Sequence, residues 1–192
     1  MLILTAIMSY LLGSVPFGLV IVRAMGLGDL RQIGSGNIGA TNVLRTGNKP
    51  AALLTLICDV GKGAFAVIVA RLTLGPDAAL VAGAAAFLGH CYPLYLGFKG
   101  GKGVATFLGT TLALAWPIGL AVCATWIAVA AIFRISSLAA LVAAALSPVY
   151  AAIFGMPALV VVMAAMAVLI FLRHRANISR LLAGQEPRIG NK

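Results

Sequence analysis

From Gly103 to Phe133 the chain runs for 31 residues without a charged side chain. A soluble fold would have to bury such a run on every side. A lipid bilayer needs only that each backbone N–H and C=O be satisfied within the segment, which an α-helix does. Comparable apolar runs cover about 2–22, 51–74, 78–97, 138–154 and 158–172. Charge supply leads to the same class: 62% of the 192 residues are hydrophobic and 9% are charged, where a soluble domain carries about a quarter. The chain has too little polar surface to cover itself, so lipid covers it. The net charge of +10 does not indicate nucleic acid, because a basic soluble face needs far more polar surface than this chain has.

The 31-residue run exceeds the roughly 20 residues of a simple span and divides at Trp116-Pro117, since proline ends a helix. This leaves a short fourth helix of about 13 residues and a fifth closed by Arg134-Ile135-Ser136-Ser137. Gly75-Pro76-Asp77 and Gly155-Met156-Pro157 are tight turns. No basic residue precedes the first run, and Arg23 follows it; a cleaved signal has the opposite polarity, so this reads as a retained helix. Seven helices put the polar interval 24–50, the Lys99–Gly103 loop, Arg134 and the tail 173–192 on one side. Twelve of the fourteen lysines and arginines fall there, Lys192 among them, while Lys62 and Arg71 lie inside the second helix. The positive-inside rule makes that side cytoplasmic. Merging the fourth and fifth helices would carry the five basic residues of the tail outside. The expectation is an all-α polytopic membrane protein of seven transmembrane helices in one domain, 1–192. Its N-terminus is outside and its C-terminus cytoplasmic.

Three polar segments converge on the cytoplasmic face. Ser35-Gly36-Asn37-Ile38-Gly39-Ala40-Thr41-Asn42 holds four hydrogen-bonding side chains in eight residues, with Arg45 after them; a helix cap needs only one. Lys99-Gly100-Gly101-Lys102-Gly103 interrupts apolar sequence. Glycines let backbone N–H groups converge, lysines add fixed charge, and a following helix contributes its positive N-terminus, a combination suited to phosphate. The Walker spacing is absent, and a basic turn between two helices has the same composition. His174, Asn177 and Arg180 share one face of any helical continuation of the seventh helix. Within the membrane, Asp59 and Lys62 at i, i+3 can neutralise one another, although intramembrane charges mark sites by default. Arg71 snorkels to the outer interface. Cys58, Cys91 and Cys123 show neither pairing nor zinc spacing. Cys91 adjoins His90, but helix neighbours diverge by about 100°. Two histidines and four scattered acids make no metal cluster.

SGNIGATNVLR, GHCYPLYLGFKGGKGVAT and RHRANISRLLAGQEP, in this order and spacing, resemble the three cytoplasmic motifs of the bacterial acyl-phosphate:glycerol-3-phosphate acyltransferases. The resemblance implies seven transmembrane helices and transfer of a fatty acyl group from acyl-phosphate to the sn-1 hydroxyl of glycerol 3-phosphate. Lysophosphatidate and inorganic phosphate would be released in this first step of phospholipid synthesis, without metal or cofactor. Its partners would be glycerol 3-phosphate, acyl-phosphate and membrane lipids, and its place a bacterial inner membrane with the active site facing the cytoplasm. Matched onto the motifs, catalytic roles fall to Ser35, Arg45, Lys102, His174 and Asn177. Substrate or phosphate contacts fall to Asn37, Gly39, Thr41, Asn42, Lys99, Gly100, Gly101, Gly103 and Thr106. Glu186 matches a supporting tail acid, and Asp59, Lys62 and His90 are read as supporting too.

The residue chemistry is compatible with this. Acyl-phosphate is a mixed anhydride with a good leaving group, so orientation, charge neutralisation and help in deprotonating an alcohol suffice. The His-x4-Asp acyltransferase spacing is absent: after four intervening residues, His90 and His174 are followed by Tyr95 and Ser179. Small residues such as Gly83, Ala84 and Ala85 allow either a groove for the acyl chain or close helix packing. A small transporter of a phosphorylated anion is the alternative. It would need polar helix interiors, of which Asp59 and Lys62 are nearly the whole supply. A structural protein gripping anionic headgroups explains the charge but not SGNIGATN. The topology is tested with single cysteines: Gly47→Cys and Gly184→Cys should label from the cytoplasm and Gly155→Cys from outside. Labelling of positions 47 and 155 from the same side overturns the seven-helix arrangement.

Overall fold

The computed structural model describes residues 1–190, which leaves Lys192, counted above with the basic tail, outside the described residues. Those residues are all-α, with no strand among them, and form two compact units, Met1–Leu114 and a second from Ala115 onward. The first unit contains α1 (Leu2–Gly13), α2 (Phe17–Ala24), the single turn α3 (Ala40–Val43), α4 (Lys49–Leu74), α5 (Pro76–Cys91) and α6 (Val104–Leu114). The second contains α7 (Trp116–Phe133), α8 (Ser136–Ile153), α9 (Pro157–Arg173) and α10 (Arg175–Leu182).

Boundaries follow local chemistry. The expected continuous helix over 2–22 is broken ahead of Pro16, which has no N–H to continue the ladder, and α2 starts afresh at Phe17. Asn48 caps α4 by accepting the Ala51 N–H at 2.9 Å, with Pro50 in the first turn. α7 begins at Trp116 with Pro117 in its first turn, so the break falls on Ala115, one residue before the expected dipeptide. Pro148 lies inside α8 and deprives the Ala144 carbonyl of its usual donor; the Ser147 hydroxyl donates to it instead, at 2.8 Å.

Small residues hold the first unit together. A Cβ on Gly13 of α1 would lie 2.1 Å from the Ala86 carbonyl oxygen of α5, and one on Gly89 would lie 2.2 Å from that of Tyr10. Ala78, Ala82 and Ala86 form one fully buried stripe of α5, packed with Ala66 and Ala70 of α4. Gly83 closes on Thr110, Val67 and Leu114, so at this position the small residue serves helix packing and not a groove. In lipid, where apolar burial drives little association, such close contact is what joins helices.

Five helical stretches among the described residues are long and apolar enough to cross a membrane: Leu2–Ala24, Lys49–Leu74, Pro76–Leu96, Trp116–Phe133 and Ser136–Ile153. The pair Pro157–Arg173 and Arg175–Leu182, bent by 65°, makes a sixth if taken as one span. The remaining member of the expected seven is α6. Its 11 residues rise only about 16 Å, short of the roughly 30 Å hydrocarbon core. The labelling positions also need adjustment: Gly47, Gly155 and Gly184 have φ of 84°, 67° and 68°, which strains a cysteine. The exposed neighbours Lys49, Met156 and Gln185 carry the label better.

Gly109 of α6 faces α4 so closely that a Cβ would lie 2.1 Å from the Val60 carbonyl oxygen. Gly109→Ala is expected to destabilise the protein by about 1–3 kcal/mol, seen as a lower Tm in detergent. Gly61→Ala, whose Cβ meets nothing within 4 Å, should match or exceed the wild type. Equal melting of the two variants would show that the α4–α6 contact is not tight.

Candidate active site

Asn42 organises the first polar segment. It is 2% exposed, its Oδ1 accepts the Ser35 N–H at 3.1 Å, and its Nδ2 donates to the Leu30 carbonyl at 3.0 Å. The Ser35 hydroxyl lies 3.4 Å from the same Oδ1. The amide expected to contact substrate is thus engaged inside its own loop. Asn37 accepts the Ile38 N–H at 2.9 Å, and Gly39 precedes α3 in extended conformation, with Thr41 exposed on that turn. Gly34 has φ 54°, and a Cβ there would meet Arg45 Cδ at 2.5 Å and Nη1 at 2.6 Å. The arginine therefore lies across the loop backbone next to Ser35, and both side chains are exposed. Beneath them Gly18 of α2 packs on the Ile38 carbonyl.

The glycine–lysine loop is folded back, not strung between helices. After a 3-10 turn at Leu94–Leu96, the Gly101 N–H donates to the His90 carbonyl at 3.0 Å. Gly100 lies against Pro93 and the carbonyls of His90 and Cys91; Gly103, with φ 83°, lies against Phe87 and Cys91. Side chains at these positions would collide with α5. Gly103 O accepts the Phe107 N–H at 2.8 Å, so the loop ends at the start of α6, whose first-turn N–H groups have no carbonyl partner within the helix. Lys99 is exposed and Lys102 half-buried. Thr106, an expected phosphate contact, is fully buried, and its hydroxyl has no hydrogen-bond partner; the side chain abuts Gly63 of α4.

Under this loop lies a buried polar group. Lys62 Nζ is 2.8 Å from Asp59 Oδ1 and donates to the Val15 carbonyl at 2.9 Å. His90 Nδ1 is 3.5 Å from the same Asp59 oxygen. The pairing of Asp59 with Lys62 follows from their spacing. Nothing in the sequence joins His90, 31 positions beyond Asp59, to them.

In the second unit His174 is the hinge between α9 and α10 and is 2% exposed. Its Nδ1 lies 2.8 Å from the Ile170 carbonyl oxygen. A carbonyl only accepts, so the proton of the neutral ring sits on Nδ1 and Nε2 is the basic nitrogen. Glu186 gathers the tail: Oε1 accepts from Ser137 Oγ at 2.7 Å and from Asn177 Nδ2, and Oε2 accepts from Arg180 Nε at 2.7 Å. The Ile189 N–H donates to the Arg134 carbonyl at 2.6 Å. Asn177 and Arg180 do share a face, as their spacing requires. Ser137, read from sequence only as part of the segment that closes the fifth helix, sits 49 residues from Glu186, and no local signal marks it.

A family model described as glycerol-3-phosphate acyltransferase matches residues 3–184. The chain belongs to that family. It is 72% identical over 187 residues to the glycerol-3-phosphate acyltransferase of Jannaschia sp. (strain CCS1), which covers 97% of this chain and 92% of that protein. It is 63% identical over 191 residues to the one from Cereibacter sphaeroides (strain ATCC 17025 / ATH 2.4.3), covering 100% of this chain and 91% of that one. Its structure is similar to the crystal structure of PlsY (YgiH), an integral membrane glycerol 3-phosphate acyltransferase, in the glycerol 3-phosphate form. The TM-score is 0.93 with 39% identity, over 98% of this chain and 96% of that one. The lysophosphatidic acid form of PlsY gives a TM-score of 0.91 with 38% identity, over 98% and 95%. Family, fold and apolar helices together make this acyltransferase an integral membrane protein.

Burial pushes the Glu186 carboxyl up, but hydrogen bonds from Ser137, Asn177 and Arg180 outweigh it and hold the group below the ordinary glutamate range. A carboxyl lowered in the folded state contributes stability that is present above its unfolded pKa and lost as pH falls through its folded one. The acyltransferase should therefore lose Tm as pH is lowered through and below the ordinary glutamate range. Glu186→Gln should start from a lower Tm and show a shallower acid dependence. Parallel Tm–pH curves for the two proteins would show that the carboxylate does not hold the tail.

Proposed function

We propose that this acyltransferase takes its acyl group from acyl-phosphate and places it on the sn-1 hydroxyl of glycerol 3-phosphate, releasing lysophosphatidate and inorganic phosphate. The observation that carries the reading is the glycine–lysine loop: backbone packed so closely that only glycine fits, lysines on its rim, and a helix N-terminus at its end. Both substrates carry phosphate, and a compact loop of this kind suits a phosphate better than a nucleotide-bearing or protein-borne donor. The seven-span topology, with the loops facing the cytoplasm and a single catalytic domain over both units, belongs to the same proposal and rests on the basic-residue asymmetry.

In the reaction the sn-1 oxygen attacks the carbonyl carbon of acyl-phosphate and the bond from that carbon to the phosphate oxygen breaks. Phosphate leaves with the bonding electrons, and the hydroxyl proton passes to a phosphate oxygen of glycerol 3-phosphate. Arg45, Lys99 and Lys102 balance phosphate charge, with backbone at Gly39, Gly100, Gly101 and Gly103 and the side chains of Asn37 and Thr41 aiding orientation. Ser35 positions substrate, and His174 and Asn177 hold glycerol 3-phosphate. Asn42, Thr106, Asp59, Lys62, His90 and Glu186 support the loops and the tail. An anhydride is already activated, so an acyl-serine intermediate on Ser35 gains little.

Purified protein should consume glycerol 3-phosphate with acyl-phosphate and not with acyl-CoA free of acyl-phosphate. Lys102→Ala should lower kcat/KM by about tenfold or more, at least about 1.4 kcal/mol of transition-state stabilisation. Gly101→Ala should impair use of a phosphate-bearing substrate, since its Cβ would lie 2.2 Å from His90 Nε2. Turnover with pure acyl-CoA refutes the donor assignment. Intact-mass spectrometry of enzyme with acyl-phosphate alone should show no stoichiometric adduct. An acyl-Ser35 species discharged by glycerol 3-phosphate at a competent rate would establish the covalent route instead.

A further inference from the structure

His90 touches the glycine–lysine loop in two ways at once. Its carbonyl accepts the Gly101 N–H at 3.0 Å. Its imidazole also lies against the same residue, where a Cβ on Gly101 would come within 2.2 Å of Nε2. The other ring nitrogen, Nδ1, is 3.5 Å from Asp59 Oδ1. Asp59 and His90 are 1% and 4% exposed, and Asp59 cannot swing away because Lys62 holds it at 2.8 Å while gripping Val15.

The ring is therefore wedged between a fixed carboxylate and a loop backbone. A spacer needed only to fill volume here would be apolar. A polar ring with one nitrogen facing a buried carboxylate has a set orientation, because turning it over would move that nitrogen away from Asp59. We propose that His90 is a positioning residue: Asp59, anchored by Lys62, fixes the imidazole, and the imidazole with its own carbonyl fixes the Gly101 peptide. Gly100–Gly103 and Lys102 are thereby presented to phosphate in one geometry. This rests on the reading of that loop as the phosphate-binding element. The shared ligand chemistry is a phosphate monoester or acyl-phosphate dianion, and separate kinetics with each substrate tell which of the two the loop holds.

The test uses the full-length protein in detergent or vesicles, with KM and kcat measured for glycerol 3-phosphate and for acyl-phosphate. His90→Phe keeps a ring beneath Gly101 and leaves the Asp59–Lys62 pair intact, but removes the nitrogen facing Asp59. It should raise KM for at least one substrate by about tenfold while kcat stays within about threefold. Asp59→Asn alone strands Lys62 as a buried unpaired cation, so the double variant Asp59→Asn/Lys62→Met is used. It removes the charge pair together and carries the test if His90→Phe does not accumulate. It should show the same KM rise, and adding His90→Phe to it should raise KM no further, because the three residues act as one unit. Lys102→Ala in the same preparations separates the two claims. If Lys102→Ala is impaired while KM for both substrates stays within about twofold of wild type in the His90 and Asp59/Lys62 variants, the positioning role is overturned and the phosphate loop stands. A fall in kcat without a KM change also overturns it. Wild-type behaviour of Lys102→Ala overturns both.

Discussion

The ion pair between Asp59 and Lys62 is the contact on which the first unit depends. Two charges inside an apolar bundle carry a desolvation penalty of several kcal/mol each, repaid only when geometry is good and the remaining donors are used. Here they meet at 2.8 Å, and the ammonium also reaches the Val15 carbonyl and sits 5.7 Å from the centre of the Phe17 ring. Val15 lies in the break between α1 and α2, where the helical ladder stops. A broken helix in lipid needs donors from elsewhere, and Lys62 supplies one. Removing either partner would leave the other charge buried and unpaired, a cost of about 3–5 kcal/mol.

From this pair the support spreads to both polar loops. On one side the break sets the start of α2, whose Gly18 seats the Ile38 carbonyl, and Ile38 lies between Ser35 and Asn42. On the other side the Ser14 hydroxyl takes the Leu94 N–H at 3.4 Å and the Tyr10 hydroxyl donates to the Tyr92 carbonyl at 2.5 Å. These contacts fix the approach to the glycine–lysine loop. Because the pair is internally neutral, it adds order without cancelling the positive charge of Arg45, Lys99 and Lys102 at the surface.

Much of this was legible in the sequence, for reasons that differ by residue. Apolar runs of bilayer length can only be helices, so fold class and most helix positions follow from hydropathy. Pro117 marks a break because its missing N–H acts locally. Pro16 acts the same way, but its neighbours are apolar and the run over 2–22 hides the break. α6 is apolar and, as the run up to Trp116 already indicates, short at 11 residues, and composition alone does not state whether such a helix crosses. Asn42 and Thr106 carry the residue types of a substrate site, yet tertiary contacts turn them inward, toward Leu30 and α4. The partners of His90 and Ser137 lay out of reach for the opposite reason: they are separated from them by 31 and 49 positions, and no periodicity encodes such a distance.

The four acids of the chain bear on where the hydroxyl proton goes. Asp59 is paired with Lys62, and Glu186 takes three donors from Ser137, Asn177 and Arg180. Asp29 caps a 3-10 turn by accepting the Arg31 N–H at 3.0 Å. Asp77 stands in the first turn of α5, where a negative charge suits the helix dipole, beside the turn at Gly75. Each carboxylate has a structural duty, and none is presented by the Ser35–Arg45 segment or the glycine–lysine loop as a general base. His174 differs, because its Nδ1 proton is held by the Ile170 carbonyl, which makes Nε2 the acceptor nitrogen of the neutral ring, of a kind that suits a hydroxyl donor. An imidazole so oriented can align a hydroxyl without leaving a second buried charge in the protein. Under the proposed acyl-phosphate reaction, the substrate's own phosphate would take the proton, and the cations around the loops would stabilise the charge that develops as the anhydride bond breaks. A chain this poor in acids favours that division of labour over a carboxylate base.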